Sequence, residues 1–366
     1  MNNFEYDSRA RLEVETLAAA GFRVEIIATT EGSSESFHGC PIHRISQWRW
    51  PTRKLRFLQF NLLAARIGGK LNADIFHAVD LDTLQAAMWA AEKRNKPVIY
   101  EARELYTELE SLAGRNAVKR FWRMLERRLI QRARKIITIN GSIANELCKR
   151  YGIGKPAIIR NVALIPESKN PKDLHAVCGI PREWKILLYQ GVLRRGQGLH
   201  TALDIMAHLK NTALVYLGDG PLGASLKARA NQMGMNDKVR FIGRVSPDDL
   251  VNYTTSADVG LLLMEDIALN NRLALPQKLF QYLVAGVPQI VTSMPELESF
   301  VTAEGTGLVL HPERPDDMAE KIGHFLFSDD AFQRAKSNCL RSALKHNWKL
   351  ESEKLVTLYR ELEESL

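Results

Sequence analysis

Lys278 and Gln281 stand one helical turn apart in LPQKLFQYLVAGVP, Leu275 to Pro288. Pro276, where a first turn would begin, and the Gly286-Val287-Pro288 stop predict a short helix. Its first turn offers backbone N–H groups and a partial positive charge, with Lys278 and Gln281 on one face beside that end. An anion that carries hydroxyls fits there; the plain alternative is a surface helix with a proline start and a glycine stop. GVLRRGQG, Gly191 to Gly198, is a second candidate, because glycines let backbone amides approach a phosphate and Arg194 and Arg195 lead into a helix N-terminus. It matches neither GxGxxG nor GxxxxGK[ST]. Gly218-Asp219-Gly220-Pro221 and Gly243-Arg244 follow two further predicted strands. Ligands of open parallel sheets bind outside the carboxyl ends of the strands, so four such stretches at successive strand ends point to one phosphate-bearing ligand.

Strands and crossover helices alternate along almost the whole chain, the pattern of parallel sheets. In the first half the predicted helices are Arg9–Ala20, Leu55–Leu71, a helix from Asp82 to Lys93 opened by an Asp82/Gln85 capping box, and Ser142–Tyr151. The strands are Arg23–Ala28, Asp74–Ala78, Val98–Glu101, Lys135–Ile139 and Ala157–Ile159. A doubly wound domain normally opens with a strand, yet MNNFEYDSR has the polarity of a loop leading into the first helix. Either the start codon is placed late or the domain does without that strand, and an exposed sheet edge or groove is expected there. Ile165 to Trp184, with three prolines, reads as a linker. The pattern then restarts with the strand Lys185–Gln190 and includes a helix Ser246–Tyr253 capped by Ser246. The expected domains are residues 1–165, joined by the terminal helix 347–366, and residues 183–345.

At 366 residues the chain is too long for one compact core. No apolar run approaches the roughly eighteen residues that span a bilayer, and the start does not resemble a signal peptide. Cys40, Cys148, Cys178 and Cys339 are scattered without CxxC or His spacing, which reads as reduced thiols in a cytoplasmic protein, with neither disulfides nor zinc. Up to Ile165, 27 Lys and Arg face 17 Asp and Glu; afterwards 23 face 25, so the net charge of +8 comes from the first half. From Arg115 to Lys135 nine basic residues face one acid, Glu126, around an apolar stripe of Val118, Phe121, Trp122, Leu125 and Leu129. WRWPTRKLRF, Trp48 to Phe57, mixes aromatic and basic residues. Basic amphipathic stretches lie well on anionic membrane surfaces, which suggests a peripheral place at the inner face of the membrane. The alternative is a solvated helix whose stripe packs inward. Nucleic acid would also favour such patches, but no recognition motif accompanies them.

The chain resembles the retaining glycosyltransferases of family 4, the group 1 enzymes with the two-domain GT-B fold. The resemblance is carried by YDSR (Tyr6 to Arg9), FHAVDLDTL (Phe76 to Leu84), YEARELYTE (Tyr100 to Glu108), Asn161-Val162, the Gly191 to Gly198 loop, LGDGP (Leu217 to Pro221), RFIGRVSPDDL (Arg240 to Leu250), LPQKLFQYLVAGVP and the terminal helix. It covers nearly the whole chain in the expected order. It implies an α/β fold of two Rossmann-like doubly wound domains facing a cleft, a nucleotide-sugar in the C-terminal domain, an acceptor in the N-terminal one, and no metal or cofactor. The donor substrate would be a UDP-sugar or a GDP-sugar, and the product a polysaccharide or cell-envelope glycan. By the resemblance, the Gly191 to Gly198 loop and Lys278 meet the diphosphate, position 281 the ribose, and Gly218 to Gly220 and Phe241 to Arg244 the base, with Leu275 and Pro276 leading into the site. As the glycosidic bond breaks the diphosphate gains charge, which Arg194 or Arg195, Lys278 and the helix N-termini would stabilise.

Three positions depart from the family pattern. Gln281 stands in place of a glutamate, Gln197 in place of a lysine or arginine, and Arg103 in place of a histidine. A glutamine at 281 can accept from one ribose hydroxyl and donate elsewhere. Arg103 keeps a positive charge beside the reaction centre and can grip a phosphate bidentately, but it cannot act as a base. Asp7, His77 and Glu101 line the acceptor end or serve structural roles. Asp80-Leu81-Asp82 matches the DxD of metal-dependent GT-A enzymes, yet it lies in the acceptor half, and Asp82 is better explained as a helix cap. The leading expectation is an active, hexosyltransferase-like enzyme acting on a glycan or lipid-linked acceptor. The alternatives are a non-catalytic scaffold, suggested by the three substitutions, and a GT-B sugar-nucleotide epimerase.

Overall fold

The computed structural model describes residues 4–29, 34–45 and 53–366. The chain divides into two α/β units, Met1–Asn161 with Lys349–Leu366, and Val162–Trp348.

The first unit carries β1 (Ile26–Thr29), β2 (Ser36–Phe37), β3 (Cys40–Ile45), β4 (Phe76–Val79), β5 (Val98–Ala102), β6 (Lys135–Thr138) and β7 (Ala157–Ile158). These form two sheets, β1-β3-β2 and β4-β5-β6-β7, the second parallel throughout. Among the described residues β1 pairs only with β3 and β4 only with β5, so the strands of this unit form two separate sheets. The expected edge is there, but it is half-buried rather than exposed. Helices α1 (Ser8–Ala19), α2 (Arg53–Gly68), α3 (Leu81–Glu92) and α4 (Asn116–Ile130) cover this unit. Ile45, Phe60, Ala64 and Ala86 make one apolar cluster with Ile27, which joins β1 and β3 to α2 and α3. A Cβ on Gly68 would stand 3.1 Å from Ala90 Cβ, 3.4 Å from Phe76 and 3.5 Å from Ile27, so α2 closes tightly over both strand edges.

The helix α3 corrects one expectation. Asp80, not Asp82, holds the N-cap position, and it makes no side-chain cap bond; Asp82 lies buried in the first turn. Asp80 is held at φ 59° and ψ 170°, a region that strains any residue with a Cβ. Its amide donates to the Glu101 carbonyl at 2.8 Å and its carboxylate accepts the Arg103 amide at 3.0 Å, which together pin that geometry.

The second unit is one six-stranded parallel sheet of β8 (Lys185–Gln190), β9 (Thr212–Leu217), β10 (Val239–Gly243), β11 (Val259–Leu262), β12 (Gln289–Thr292) and β13 (Gly307–Leu310), in the order β10-β9-β8-β11-β12-β13. The chain winds outward from β8, then returns to β11 on its other side. That reversal makes the carboxyl ends of β8 and β11 the topological switch point, where open sheets bind ligands. The core packs the apolar faces of β8, β9 and β11 against the helices Leu199–Met206 and Pro315–Leu326.

The stretch expected as a linker is fastened to this unit. Lys169 Nζ donates to the Val284 carbonyl at 2.6 Å, Lys172 N to the Asn252 carbonyl at 2.9 Å, and Leu174–Cys178 forms a short helix capped by Asp173. The expected Ser246–Tyr253 helix starts only at Leu250; Ser246 instead receives the Asp248 amide in a turn.

Candidate active site

The apolar strand β8, KILLYQ, delivers Tyr189 and Gln190 to the switch point, and the glycine-rich loop follows directly. Two glycines let that loop close on its neighbours. A Cβ on Gly198, at φ 65°, would lie 1.9 Å from the Leu263 carbonyl oxygen, and one on Gly218, at φ 146°, 2.0 Å from that of Gly191. The loop is further tied by Gly191 N to the Leu217 carbonyl and by Leu193 N to the Asp219 carbonyl, both at 2.9 Å. The ends of β8, β9 and β11 therefore meet at one place.

Into it comes the helix Gln277–Ala285, stopped by Gly286 in the left-handed conformation. Pro276 is its N-cap rather than its first helical residue, so Lys278 lies in the first turn. The Lys278 ammonium donates to Gln197 Oε1 at 2.8 Å and to the Tyr189 hydroxyl at 3.1 Å, and it stands 4.3 Å from the centre of the Tyr189 ring. It has no carboxylate partner among the described residues. Burial first, then the nearby Arg194 guanidinium, push its pKa down to about 7. A half-buried ammonium beside a helix N-terminus and a second cation is uncomfortable without an anion. Gln281, one turn on, accepts from Gln190 Nε2 at 2.7 Å, and Gln190 in turn accepts from Thr254 Oγ1 at 2.7 Å. The oxygen of Gln281 is thus engaged, and its NH2 group is the part left to a ligand, the reverse of the expected acceptor role. Arg194 is half-buried near Lys278, whereas Arg195 is exposed. Asp219 receives the Gly220 amide at 2.7 Å, Leu275 is buried, and Gly243 ends β10 with Arg244 directly after it, beyond β9 from the Lys278 group.

The first unit holds a buried charge cluster at the carboxyl end of β5. Arg103 donates through Nε to Glu101 (2.9 Å), through Nη1 to both oxygens of Asp7 (2.9 and 3.0 Å), and through Nη2 to Glu13 (3.0 Å). Arg9 bonds the other side of Glu13 and Glu101, and Arg9 Nη1 reaches the Arg160 carbonyl. Arg103 is therefore a structural cation whose three nitrogens are already engaged, not a group poised to grip phosphate. Burial alone would raise the Glu101 carboxyl, but Arg103 and then Arg9 hold it well below the usual range. Burial, then the Glu101 charge, raise Glu13. Asp7 also caps α1 through the Ala10 amide. His77 Nδ1 stands 2.8 Å from the Tyr359 hydroxyl, and its Nε2, without a hydrogen bond, 3.6 Å from Glu101. Glu13, His77 and Glu101 could converge on a metal, but two guanidiniums already hold both carboxylates.

The model of the group 1 glycosyl transferases matches residues 170–339, and that of Glycosyltransferase Family 4 matches residues 10–163. This chain belongs to the group 1 glycosyltransferases. It is 27% identical over 205 residues to the D-inositol 3-phosphate glycosyltransferase of Corynebacterium urealyticum, a match that covers 50% of this chain and 45% of that protein. The chain thus spans about half the length of the first curated relatives it matches. Sucrose-phosphate synthase from Thermosynechococcus elongatus superposes with a TM-score of 0.81 at 20% identity, over 98% of this chain and 93% of that one. HepE of Anabaena, solved with UDP and glucose, superposes with a TM-score of 0.75 at 15% identity, over 100% and 98% of the chains. These likenesses show the GT-B fold of two Rossmann-like domains.

At this site, sequence reasoning missed Tyr189 and Gln190, which set Lys278 and Gln281. A polar residue closing the apolar run of β8 was the available signal for Gln190. It also missed Asn271, buried with Nδ2 3.3 Å from the Gly196 carbonyl, and the strained Asp80.

Proposed function

We propose that this chain takes a sugar from a UDP-sugar and moves it, with retention and without a metal, to a glycan or lipid-linked acceptor of cell-envelope or polysaccharide biosynthesis. The donor lies in the second unit, and the acceptor in the first. The observation that carries the reading is the Lys278 ammonium, half-buried at the switch point with no carboxylate partner among the described residues. A diphosphate supplies the missing anion, and the charge it gains on leaving is met by Lys278, Arg194 and the helix N-terminus behind them. UDP is favoured over GDP because HepE was solved with UDP and glucose. Retention and metal independence are taken from the family. The excess positive charge of residues 115–135 and 48–57 suits work at the surface of an anionic membrane; Trp48 to Thr52 lie outside the described residues. No helix among the described residues is long and apolar enough to cross a bilayer.

Release of UDP from UDP-glucose, UDP-galactose and UDP-N-acetylglucosamine in the presence of a lipid and glycan extract tests the proposal, with GDP-mannose as the comparison. Turnover that survives EDTA, with the donor's anomeric configuration kept in the NMR spectrum of the product, is expected. Neither turnover nor calorimetric UDP binding would leave the scaffold reading in its place, and an inverted anomer would overturn retention.

A further inference from the structure

Lys278 and Gln281 share one face of the helix Gln277–Ala285, a turn apart. Lys278 stands in the first turn, and Gln281 lies farther in, against Gln190, which closes β8 and is 1% exposed. A nucleotide-sugar carries its diphosphate between two polyols, the ribose and the sugar to be moved. The moved sugar must stay open to an acceptor. With the diphosphate on Lys278, the polyol on the inner side, at Gln281, is therefore the ribose.

What Gln281 offers that ribose is set by Gln190. Its Oε1 accepts from Gln190 Nε2 at 2.7 Å, so turning the amide away would leave a buried donor unpaired. Its Nε2 makes no hydrogen bond among the described residues, and the side chain is half-buried. A carboxylate at this place would accept from both hydroxyls of a ribose, its two oxygens lying side by side as the hydroxyls do. The single amide nitrogen donates along two diverging N–H bonds and meets one hydroxyl oxygen. A site with a fixed pair of acceptors rejects an analogue that lacks one hydroxyl, because an acceptor is then left without its partner. Gln281 has no acceptor to strand, and its half-buried NH2 group can turn to water instead. Lys278 and Arg194 serve the diphosphate, which ribose and deoxyribose nucleotides have in common.

We propose that the donor site of this chain admits 2′-deoxyribonucleoside diphosphates, and with them deoxynucleotide-sugars of the thymidine class, nearly as well as ribonucleotides, and that Gln281 is the residue that removes the discrimination. The inference rests on the donor reading above and names the class of nucleotide that the same site takes.

The full chain and its Gln281→Glu and Gln281→Ala variants are titrated calorimetrically with UDP and 2′-deoxy-UDP, which differ by one oxygen atom. In the parent the two dissociation constants should agree within about tenfold, the upper scale of one neutral hydrogen bond. In Gln281→Glu the preference for UDP should widen by about tenfold, since the carboxylate gains a charge-assisted bond that deoxyribose cannot make. Gln281→Ala, which has no acceptor either, should keep the parent's narrow preference. A parent that binds 2′-deoxy-UDP more than about tenfold weaker than UDP would overturn the inference. So would a preference that Gln281→Glu does not widen, or one that Gln281→Ala widens as much as Gln281→Glu does. Thermal melting of the same samples confirms that each protein is folded. UDP bound with 2′-deoxy-UDP rejected removes the inference and leaves the donor reading standing, whereas a folded parent that binds neither nucleotide removes both.

Discussion

The Lys278 ammonium lies 2.8 Å from the amide oxygen of Gln197, the position where the family pattern has a lysine or arginine. A neutral acceptor at 197 thus holds the cation that 278 supplies. Lys278→Ala should weaken UDP binding by about 1–3 kcal/mol, the scale of one charge-assisted bond, with little change in melting temperature. Calorimetric titration of the variant checks this, and an unchanged dissociation constant would take the helix out of the donor site.

The pKa of about 7 at Lys278 gives the donor site a pH dependence with a definite sign. The free protein carries a half-protonated lysine at that pH, while a bound diphosphate favours the charged form. Above pH 7 each bound UDP must therefore take up a proton, and affinity should fall by up to about tenfold per pH unit. Calorimetry at pH 8 in buffers of different ionisation enthalpy measures the uptake. Lys278→Ala should abolish it; uptake that persists in the variant would assign the proton elsewhere.

Gln190 and Gln281 act as a pair, and the pair decides what a substitution does. Gln281→Glu keeps the oxygen that accepts from Gln190 at 2.7 Å and gives a hydroxyl a carboxylate to donate to. UDP affinity should stay the same or improve by up to about tenfold. Gln190→Leu, which leaves Gln281 and Thr254 without their partner, should cost about 1–2 kcal/mol in stability and weaken UDP binding. Urea unfolding and calorimetry on both variants separate the two effects.

Arg103 shows where the sequence stops being readable. Its neighbours in the chain suggested a ligand contact, but its partners Asp7 and Glu13 lie 96 and 90 residues away and come together only when α1 docks on β5. The alternation of strands and helices was legible because it is local, and the Lys278 helix because Gly286 ends it sharply. The strand Cys40–Ile45 escaped notice, since CPIHRI carries a proline and two basic residues among its apolar ones. The 17-residue helix Asp329–Lys345 was missed for another reason: its buried stripe includes Ala335, Cys339, Ser342 and Ala343, too small to raise a periodic signal. An exposed edge or groove was expected from a missing strand pattern; the division into two sheets was not, and the half-burial of the edges required α2.

With three carboxylates on it, Arg103 should behave as a stability residue. Arg103→Ala leaves Glu101, Glu13 and Asp7 facing one another around Arg9, and should cost about 3–5 kcal/mol, as when one partner of a buried ion pair is removed. Arg103→His, which restores the family's residue without the reach to three acids, should still cost about 2 kcal/mol or more. Denaturant midpoints test this, and UDP binding by the folded fraction should not change. A variant with unaltered stability and lost activity would return Arg103 to the role of a ligand contact.

Glu108 fastens α4 to its unit, because it receives Lys119 and Arg123 from that helix and Arg150 from the helix Gly141–Tyr151. Burial alone would raise its carboxyl, but the hydrogen bonds from Lys119, Arg123 and Arg150 bring it down from 4.5 to about 2. A carboxyl depressed in the folded state adds stability above its unfolded pKa, and that stability is lost as the pH falls from 4.5 toward 2. Arg123 is half-exposed, so solvent screening reduces the effect, and Glu108→Gln should cost about 1–2 kcal/mol at pH 7. The gap between the parent and Glu108→Gln should then close across that acid window, as followed by urea unfolding at each pH. A gap that stays constant with pH would mean that the three cations gain nothing from the Glu108 charge. In that case α4 is held by its buried residues Leu129 and Ile130 and by the Trp122 contacts with Phe57 and Tyr106.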